Sequence, residues 1–375
     1  MTTKHIVIDA RIRRSSTGRY VARLLDHLQD VDTFHRYTVL LSPDDDWKPH
    51  AKNFHTLPCP YPQFSFNPLH QIGFTRQLTL LKPDLVHFTM TQQPVPYFGE
   101  IVTTTHDLTM FNFVRRGDTP KPLFALKMGL YRFLFKWSHM KSDKIIVPTK
   151  YVAEDLAAYQ PSTKHKIVVT YESGELPNKD MAARKPAAVG AHDEFIMYLG
   201  TAFPHKNLPK LVEAFEILKK THPKLKLVLV GKKEKHYEEL AAFVATQPHA
   251  KDIIITGFLP DEETKWLYRH TKAYVFTSLS EGFGLPPLEA MSNGAPVISS
   301  DASCMPELYG DAVHYCNAKD IHDIAAKVAE VIDNKKLRDS LIKAGPKQVA
   351  KYSWHTMAEE TLIVYKEILE ETVRA

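Results

Sequence analysis

The sequence predicts an α/β protein of two domains, and three observations carry that prediction. A chain of 375 residues makes about two domains at roughly 150 residues each. Short apolar runs rich in Val, Ile, Phe and Thr recur along it, most followed by a polar or Gly/Pro-containing loop and an amphipathic helix, the pattern of parallel strands covered by helices. The sharpest instance is Ala-Tyr-Val-Phe-Thr277, followed by Ser-Leu-Ser-Glu281-Gly-Phe-Gly-Leu-Pro-Pro-Leu-Glu289-Ala-Met-Ser-Asn-Gly294.

Composition excludes several classes. Hydrophobic residues at 44% and charged ones at 24% describe an ordinary globular chain. No internal repeat is present, and no apolar run approaches the roughly 18–20 residues that span a bilayer. The first apolar stretch is broken at Asp9 and is too short for a signal peptide. Cys59, Cys304 and Cys316 lack zinc-like spacing and leave one unpaired if two bridge, which points to a reducing cytoplasm. Residues 1–180 carry 23 Lys and Arg against 17 Asp and Glu, and the remainder 25 against 26. That excess fits an anionic partner of the first half (a membrane surface, a lipid phosphate or a nucleotide) and equally a solvated surface. No zinc finger, RNA-binding aromatic motif or basic arm indicates nucleic acid.

Residues 4–9 form the first strand. Their exit loop holds a single glycine, Gly18, before a helix with Val21, Leu24, Leu25 and Leu28 on one face. With no G-x-G-x-x-G fingerprint, a nicotinamide dehydrogenase is disfavoured. Residues 37–41 form the next strand, and Asp44-Asp-Asp46 reads as a solvated turn. The Pro- and aromatic-rich loop 59–68 either lines an acceptor site or packs on the domain. Residues 85–88 and 101–105 are strands, with His106 at the second exit, where ligands gather in doubly wound sheets. An isolated His there is structural or functional. The apolar helix 122–137, interleaved with Lys127, Arg132, Lys136 and Lys141, reads as a packed helix with snorkelling cations rather than one lying on an anionic membrane. Strand, loop and helix follow at 145–156, and 166–170 closes the first sheet. Residues 175–193 are the expected linker.

The second domain opens with strand 195–200 and Thr-Ala-Phe-Pro-His205-Lys206-Asn207. Asn207 is placed to cap the helix bearing Leu211, Val212, Phe215 and Leu218. Lys206 sits at a strand-to-helix turn, where an ammonium meets a diphosphate. Strand 225–230 leads to Lys232 and Lys233, and strand 253–256 to Gly257-Phe258-Leu259-Pro260. After strand 273–277, Gly282 and Gly284 free the backbone, Pro286 and Pro287 suit a first helical turn, and Gly294 sits at a C-cap. Glu281 falls at the strand exit and Glu289 in the first helical turn. Loop amides and the helix dipole make an anion site, which two carboxylates would oppose unless they face hydroxyls. The unit therefore reads as phosphate on the amides, ribose on one Glu and a second polyol on the other. The simpler reading takes both Glu as helix N-terminal charges worth about 0.3–1 kcal/mol each.

This stretch resembles the Glu-x7-Glu motif of retaining glycosyltransferases of family 4, and the likeness continues through Ala290-Met-Ser-Asn-Gly-Ala-Pro-Val-Ile298 and Met305-Pro-Glu-Leu-Tyr-Gly-Asp311. The resemblance covers nearly the whole chain and implies the GT-B architecture, two Rossmann-like domains facing across a cleft. It implies a first domain of 1–178 with 355–375 crossing back as helix 356–373, and a nucleotide-sugar domain of 192–354. It implies that Glu289 holds the ribose, that Glu281 contacts the donor sugar among Gly282, Phe283, Gly284 and Leu285, and that Phe258 and Leu259 lie along the base. His106, in a His-Asp-Leu segment, falls near the donor sugar, and Gly18 near the donor phosphate or the acceptor. Lys206 neutralises the leaving diphosphate, with His205 standing where the family has Arg. His106, Glu281 and Lys206 are thus the catalytic candidates.

The implied reaction moves a sugar, mannose- or rhamnose-like, from a nucleotide-diphosphate donor to an acceptor hydroxyl on a glycan or lipid-linked chain in bacterial surface polysaccharide or glycolipid synthesis. No Asp-x-Asp stands at a plausible strand end, so the sequence requires neither metal nor cofactor. Peripheral contact with the inner face of the membrane through the first domain is compatible with it. Two rivals are a nucleotide-sugar 2-epimerase and a non-catalytic nucleotide-sugar-binding partner.

Overall fold

The computed structural model describes all residues except 1, 16, 64, 114–119, 176–180, 191, 192 and 375, with backbone alone at 371–374. The chain forms two compact units, Met1–Glu172 with Ser353–Ala375, and Ser173–Tyr352. Of the expected linker, 176–180, 191 and 192 lie outside the described residues, as do 178 and 192 as domain limits.

In unit 1, β1 (His5–Asp9), α1 (Gly18–Val31), β2 (Arg36–Leu41) and β3 (Phe54–Pro58) lead to α2 (Pro68–Leu81) and β4 (Leu85–Phe88). Then come β5 (Ile101–Thr104), α3 (Thr109–Asn112), α4 (Lys121–Lys141), β6 (Lys144–Val147), α5 (Lys150–Tyr159) and β7 (Ile167–Val169). The sheet is parallel, in the order β3-β2-β1-β4-β5-β6-β7. The strand order reverses beside β1, which puts the exits of β1 and β4 at a topological switch point. β1 is buried along its whole length, which is why its centre, Ile6, Val7 and Ile8, is continuously apolar rather than alternating.

Among the elements that the periodicity reading misses, two show the physical reasons. β3 is an edge strand with a polar, exposed centre. α2 carries apolar residues on both faces: Phe74 and Leu78 enter the core while Leu69, Ile72 and Leu80 are exposed. Its start carries a local signal that the loop reading passes over: Asn67 accepts the Leu69 N–H and Pro68 is the first helical residue. The Asp44-Asp-Asp46 turn is not simply solvated. The Asp45 side chain is 1% exposed and pairs with the Arg13 guanidinium, which ties the β1 exit loop to the β2 exit. Burial pushes the Asp45 carboxyl up, but Arg13 and the Trp47 amide more than offset it, so it stays below its usual value.

Unit 2 repeats the plan with β8 (Phe195–Leu199), α6 (Leu208–Leu218), β9 (Lys226–Val230), α7 (Lys235–Ala245), β10 (Ile253–Gly257) and α8 (Asp261–His270). β11 (Ala273–Phe276), α9 (Leu285–Ser292), β12 (Val297–Ser300), α10 (Met305–Tyr309), β13 (His314–Cys316), α11 (Ile321–Asp333) and α12 (Lys335–Val349) complete it. Its parallel sheet runs β10-β9-β8-β11-β12-β13, so β8 and β11 flank the second switch point.

The last helix, α13 (Trp354–Arg374), returns to unit 1 and packs on α1. Leu362, Tyr365, Ile368 and Leu369 are buried there, each such side chain contributing about 1.5–3 kcal/mol. The Tyr365 hydroxyl reaches His87 Nδ1 at 2.6 Å in the sheet.

Candidate functional site

Two loops at the switch point of unit 2 are pinned together by backbone and hydroxyl groups. The Leu279 N–H donates to the His205 carbonyl at 2.7 Å. The Ser278 hydroxyl donates to the same carbonyl, and that of Thr277 to the Lys206 carbonyl, both at 3.2 Å. The turn after β8 is thereby held against the exit of β11, and Lys206 Nζ donates to Glu281 Oε1 at 2.5 Å. Both side chains are largely withdrawn from water, 13% and 11% exposed. A charge-assisted bond in such surroundings is stronger than a surface ion pair.

The loop after Glu281 is shaped from below. The Glu281 N–H donates to the Ser303 hydroxyl at 3.1 Å, and its carbonyl accepts the Cys304 thiol at 3.3 Å. Ser303 itself takes a left-handed backbone, φ +49°. Gly284 has φ +78°, and its carbonyl accepts the Tyr309 hydroxyl at 2.7 Å. A Cβ on Gly284 would lie 2.3 Å from that hydroxyl oxygen, so no side chain fits. Cys304 is fully buried, and burial together with nearby Glu281 drives its thiol well above the usual value. It is a neutral packing group rather than a nucleophile.

Gly284 is the N-cap of α9, with Pro286 and Pro287 in the first turn. Because neither proline has an N–H, the amides that the first turn can offer are those at and just before Leu285, beside buried Gly282 and Phe283. Glu289 is half-buried and lies in the second turn, not the first: the helix begins at Leu285, four residues earlier. Gly294, at φ +83°, follows the C-cap residue Asn293.

Neighbouring positions divide. His205 is buried beside the Phe203 ring, 5.9 Å between centroids, so Lys206 is the basic residue that reaches the glycine loop. Asn207 does not cap α6 through its side chain. Its backbone is left-handed at φ +62°, and its amide donates to the Ala318 carbonyl at 2.7 Å. At the β10 exit, Gly257 has φ +81° with the Lys233 side chain passing beside it. Phe258 stands 72% exposed there, an aromatic face able to stack on a flat ring, and Leu259 is half-buried.

Gly18 and His106 belong to unit 1. A Cβ on Gly18 would fall 1.9 Å from the Arg13 carbonyl oxygen, so this glycine lets its own loop close over the start of α1. His106 Nε2 lies 3.0 Å from the Thr89 carbonyl, and Nδ1 lies 3.6 Å from Glu172 Oε1. The Tyr20 ring meets the imidazole edge-on at 4.9 Å. Glu172, buried at 5% exposure, was not legible as a site residue, because 66 positions separate it from His106 and no local motif surrounds it. The loop 59–68 packs on the domain: Arg11 donates to the Tyr61 and Pro62 carbonyls at 2.9 and 3.2 Å. It also lines a small cavity with Gln92 and Gln93, whose buried amide oxygens have no partner in the structure. No cluster of His, Cys, Asp and Glu among the described residues could hold a metal ion.

Two Rossmann-like parallel sheets, the second with a glycine loop bearing Glu281 and a helix bearing Glu289 at its switch point, define the GT-B class. A model of Glycosyltransferase Family 4 matches residues 17–172, and one of Glycosyl transferases group 1 matches residues 181–348. The chain belongs to glycosyltransferase family 4. It is 32% identical over 173 residues to the O-antigen chain mannosyltransferase B of Escherichia coli, covering 46% of this chain and 45% of that one. It is 28% identical over 251 residues to the serotype-specific mannosyltransferase WbdA of Escherichia coli, covering 66% and 29%. The chain therefore spans less than half the length of these two relatives. The sucrose-phosphate synthase of Thermosynechococcus elongatus shares the fold, with a TM-score of 0.77 at 16% identity, covering 98% of this chain and 100% of the other.

Proposed function

We propose that the protein is a retaining, metal-independent glycosyltransferase that moves a mannose- or rhamnose-like sugar from a nucleotide-diphosphate donor to an acceptor hydroxyl. The observation that carries this reading is the Lys206–Glu281 pair at the mouth of the glycine loop, with Glu289 in the second turn of the helix behind it. In the proposed reaction the bond from the anomeric carbon to the diphosphate oxygen breaks, and its electron pair goes to the leaving group. Lys206 and the loop amides stabilise that charge. The acceptor oxygen attacks the same face and gives its proton to a phosphate oxygen. Glu281 orients the sugar and Glu289 takes the ribose hydroxyls. Phe258 supports the base, and His106 borders the donor sugar. The names of the two Escherichia coli relatives favour mannose and a growing surface polysaccharide as acceptor, reached at the cytoplasmic face of a membrane by peripheral contact of unit 1.

Thermal stability against UDP, GDP, ADP and dTDP tests the donor site. One nucleotide at 100 times its dissociation constant should add about 2.7 kcal/mol to the wild type and nothing to Glu289→Ala. No shift with any of the four overturns the donor site. Transfer from the matching nucleotide sugar should fall on the order of 100-fold or more in Glu281→Gln; full activity removes the Glu281 charge from the mechanism.

A further inference from the structure

The outer surface of unit 1 carries a built patch that the transfer chemistry does not use. The connections β3 to β4 and β5 to β6 run in the same direction across the sheet, so right-handed crossovers place α2 and α4 on one face. Of the fifteen large apolar side chains exposed among the described residues, ten lie on or beside these two helices. Such concentration marks an interaction surface rather than scattered surface residues.

The helix α4 divides its apolar residues between two stripes. Tyr131 and Phe135 enter the core with Met128 against them. On the other side Leu123, Leu126, Leu130, Phe133, Trp137 and Met140 recur at intervals of three and four. Leu126 is 69% exposed, and Phe133 and Met140 are each 56% exposed. At 100° per residue Lys127 borders this outer stripe on one flank, and Arg132 and Lys136 on the other; all three are exposed. Neither α2 nor α4 contains an Asp or Glu.

The aromatic part of the patch is held in place from inside. Lys141 does not snorkel outward: its ammonium donates to the carbonyls of Pro94, Val95 and Tyr97 at 2.8, 3.4 and 3.0 Å. The Trp137 indole N–H donates to the Val95 carbonyl at 3.2 Å. This fixes the loop that presents Phe98, 71% exposed, edge-on to Trp137, which in turn stacks with Phe133.

We infer that this face docks the protein on an anionic lipid bilayer, with α4 lying in the headgroup plane and its outer stripe buried among the upper acyl chains. The charge selects the occupant. A second copy would set cation against cation, whereas anionic headgroups neutralise Lys127, Arg132 and Lys136 while the aromatics take their preferred interfacial place. No helix among the described residues is long and apolar enough to cross a membrane, so α4 lies on the bilayer rather than through it. The inference deepens the peripheral placement proposed above and rests on that placement.

The test is co-sedimentation of the full chain with phosphatidylcholine vesicles, with and without 30% phosphatidylglycerol, read without donor or acceptor. Binding should require the anionic lipid and weaken with salt. It should fall about fivefold per cation removed in Lys127→Gln and Arg132→Gln, and also in the double variant Leu126→Asn/Phe133→Asn. Ile342→Asn, an exposed apolar position of unit 2, should bind as the wild type. Brominated lipid should quench fluorescence in the wild type and less in Trp137→Phe. Equal binding to both vesicle types, no binding, or a dimer dissolved by Leu126→Asn/Phe133→Asn overturns the proposal; the last result would make the face a self-association surface. The nucleotide shift, run on the same variants, separates the two readings. In the wild type, no vesicle binding with an intact nucleotide shift sinks the lipid surface alone, and vesicle binding with no nucleotide shift sinks the donor site alone; the patch variants should lose vesicle binding and keep the shift.

Discussion

At the residue scale, Glu281 gains its place from partners scattered through the sequence of unit 2. Its side chain meets Lys206, its N–H meets Ser303 and its carbonyl meets Cys304. The glycines around it are not equivalent. Gly284 and Gly294 both have φ near +80°, but a Cβ meets the Tyr309 hydroxyl at Gly284 and open space at Gly294. Gly294→Ala should therefore cost only the left-handed strain, about 1 kcal/mol. Gly284→Ala adds a clash and displaces the Tyr309 hydrogen bond, so urea unfolding should show at least twice that loss, along with loss of the nucleotide shift. The spacing of Glu281 and Glu289 with their glycines was legible in the sequence because it is local. The Lys206–Glu281 bond was not, because 75 residues separate its ends and only the sheet order joins them.

At the element scale, α4 and α13 hold unit 1 together through buried histidines. His139 on α4 bonds the Thr105 hydroxyl and the Phe135 carbonyl, both at 2.6 Å. His87 in β4 lies between the hydroxyls of Tyr365 on α13 and Thr104 on β5. Burial pushes His139 down to about 4; burial and then nearby His106 push His87 down to about 3. In the folded protein both stay neutral, while in the unfolded chain both take a proton below about 6.5. Stability is thus fully present above pH 6.5 and lost as the pH falls from there toward 4 for His139 and toward 3 for His87. Each should cost on the order of 2 kcal/mol at pH 5. Melting curves between pH 7.5 and 5 should show the decline, and His139→Gln should flatten it. A wild type equally stable at both pH values would refute the assignment. The helix over 122–137 was visible in the sequence, but its two apolar stripes were not distinguishable there. Which stripe is covered depends on the sheet beneath.

At the scale of the whole molecule, the two compact units have separate sheets and separate cores. Calorimetry should therefore resolve two transitions rather than one. If unit 2 carries the donor site, the stabilising nucleotide should raise its transition by several degrees and move that of unit 1 less. A single transition that shifts as a whole would show that the units unfold together. Deleting residues 353–375 should abolish the unit 1 transition, because Leu362, Tyr365, Ile368 and Leu369 leave their buried places against it.

By itself the sequence determined the α/β class, the order of most strands and of about half the helices, and the strand–glycine loop–helix unit that bears Glu281 and Glu289. These follow from propensity, period and local spacing, which act over a few residues at a time. The tertiary structure alone decided that Lys206 meets Glu281, that Glu172 meets His106, that Asn207 turns from its helix to Ala318, and that α4 shows an apolar stripe to solvent. Each depends on which strands become neighbours and which faces they cover, and that choice is made by packing across the sheets rather than along the chain.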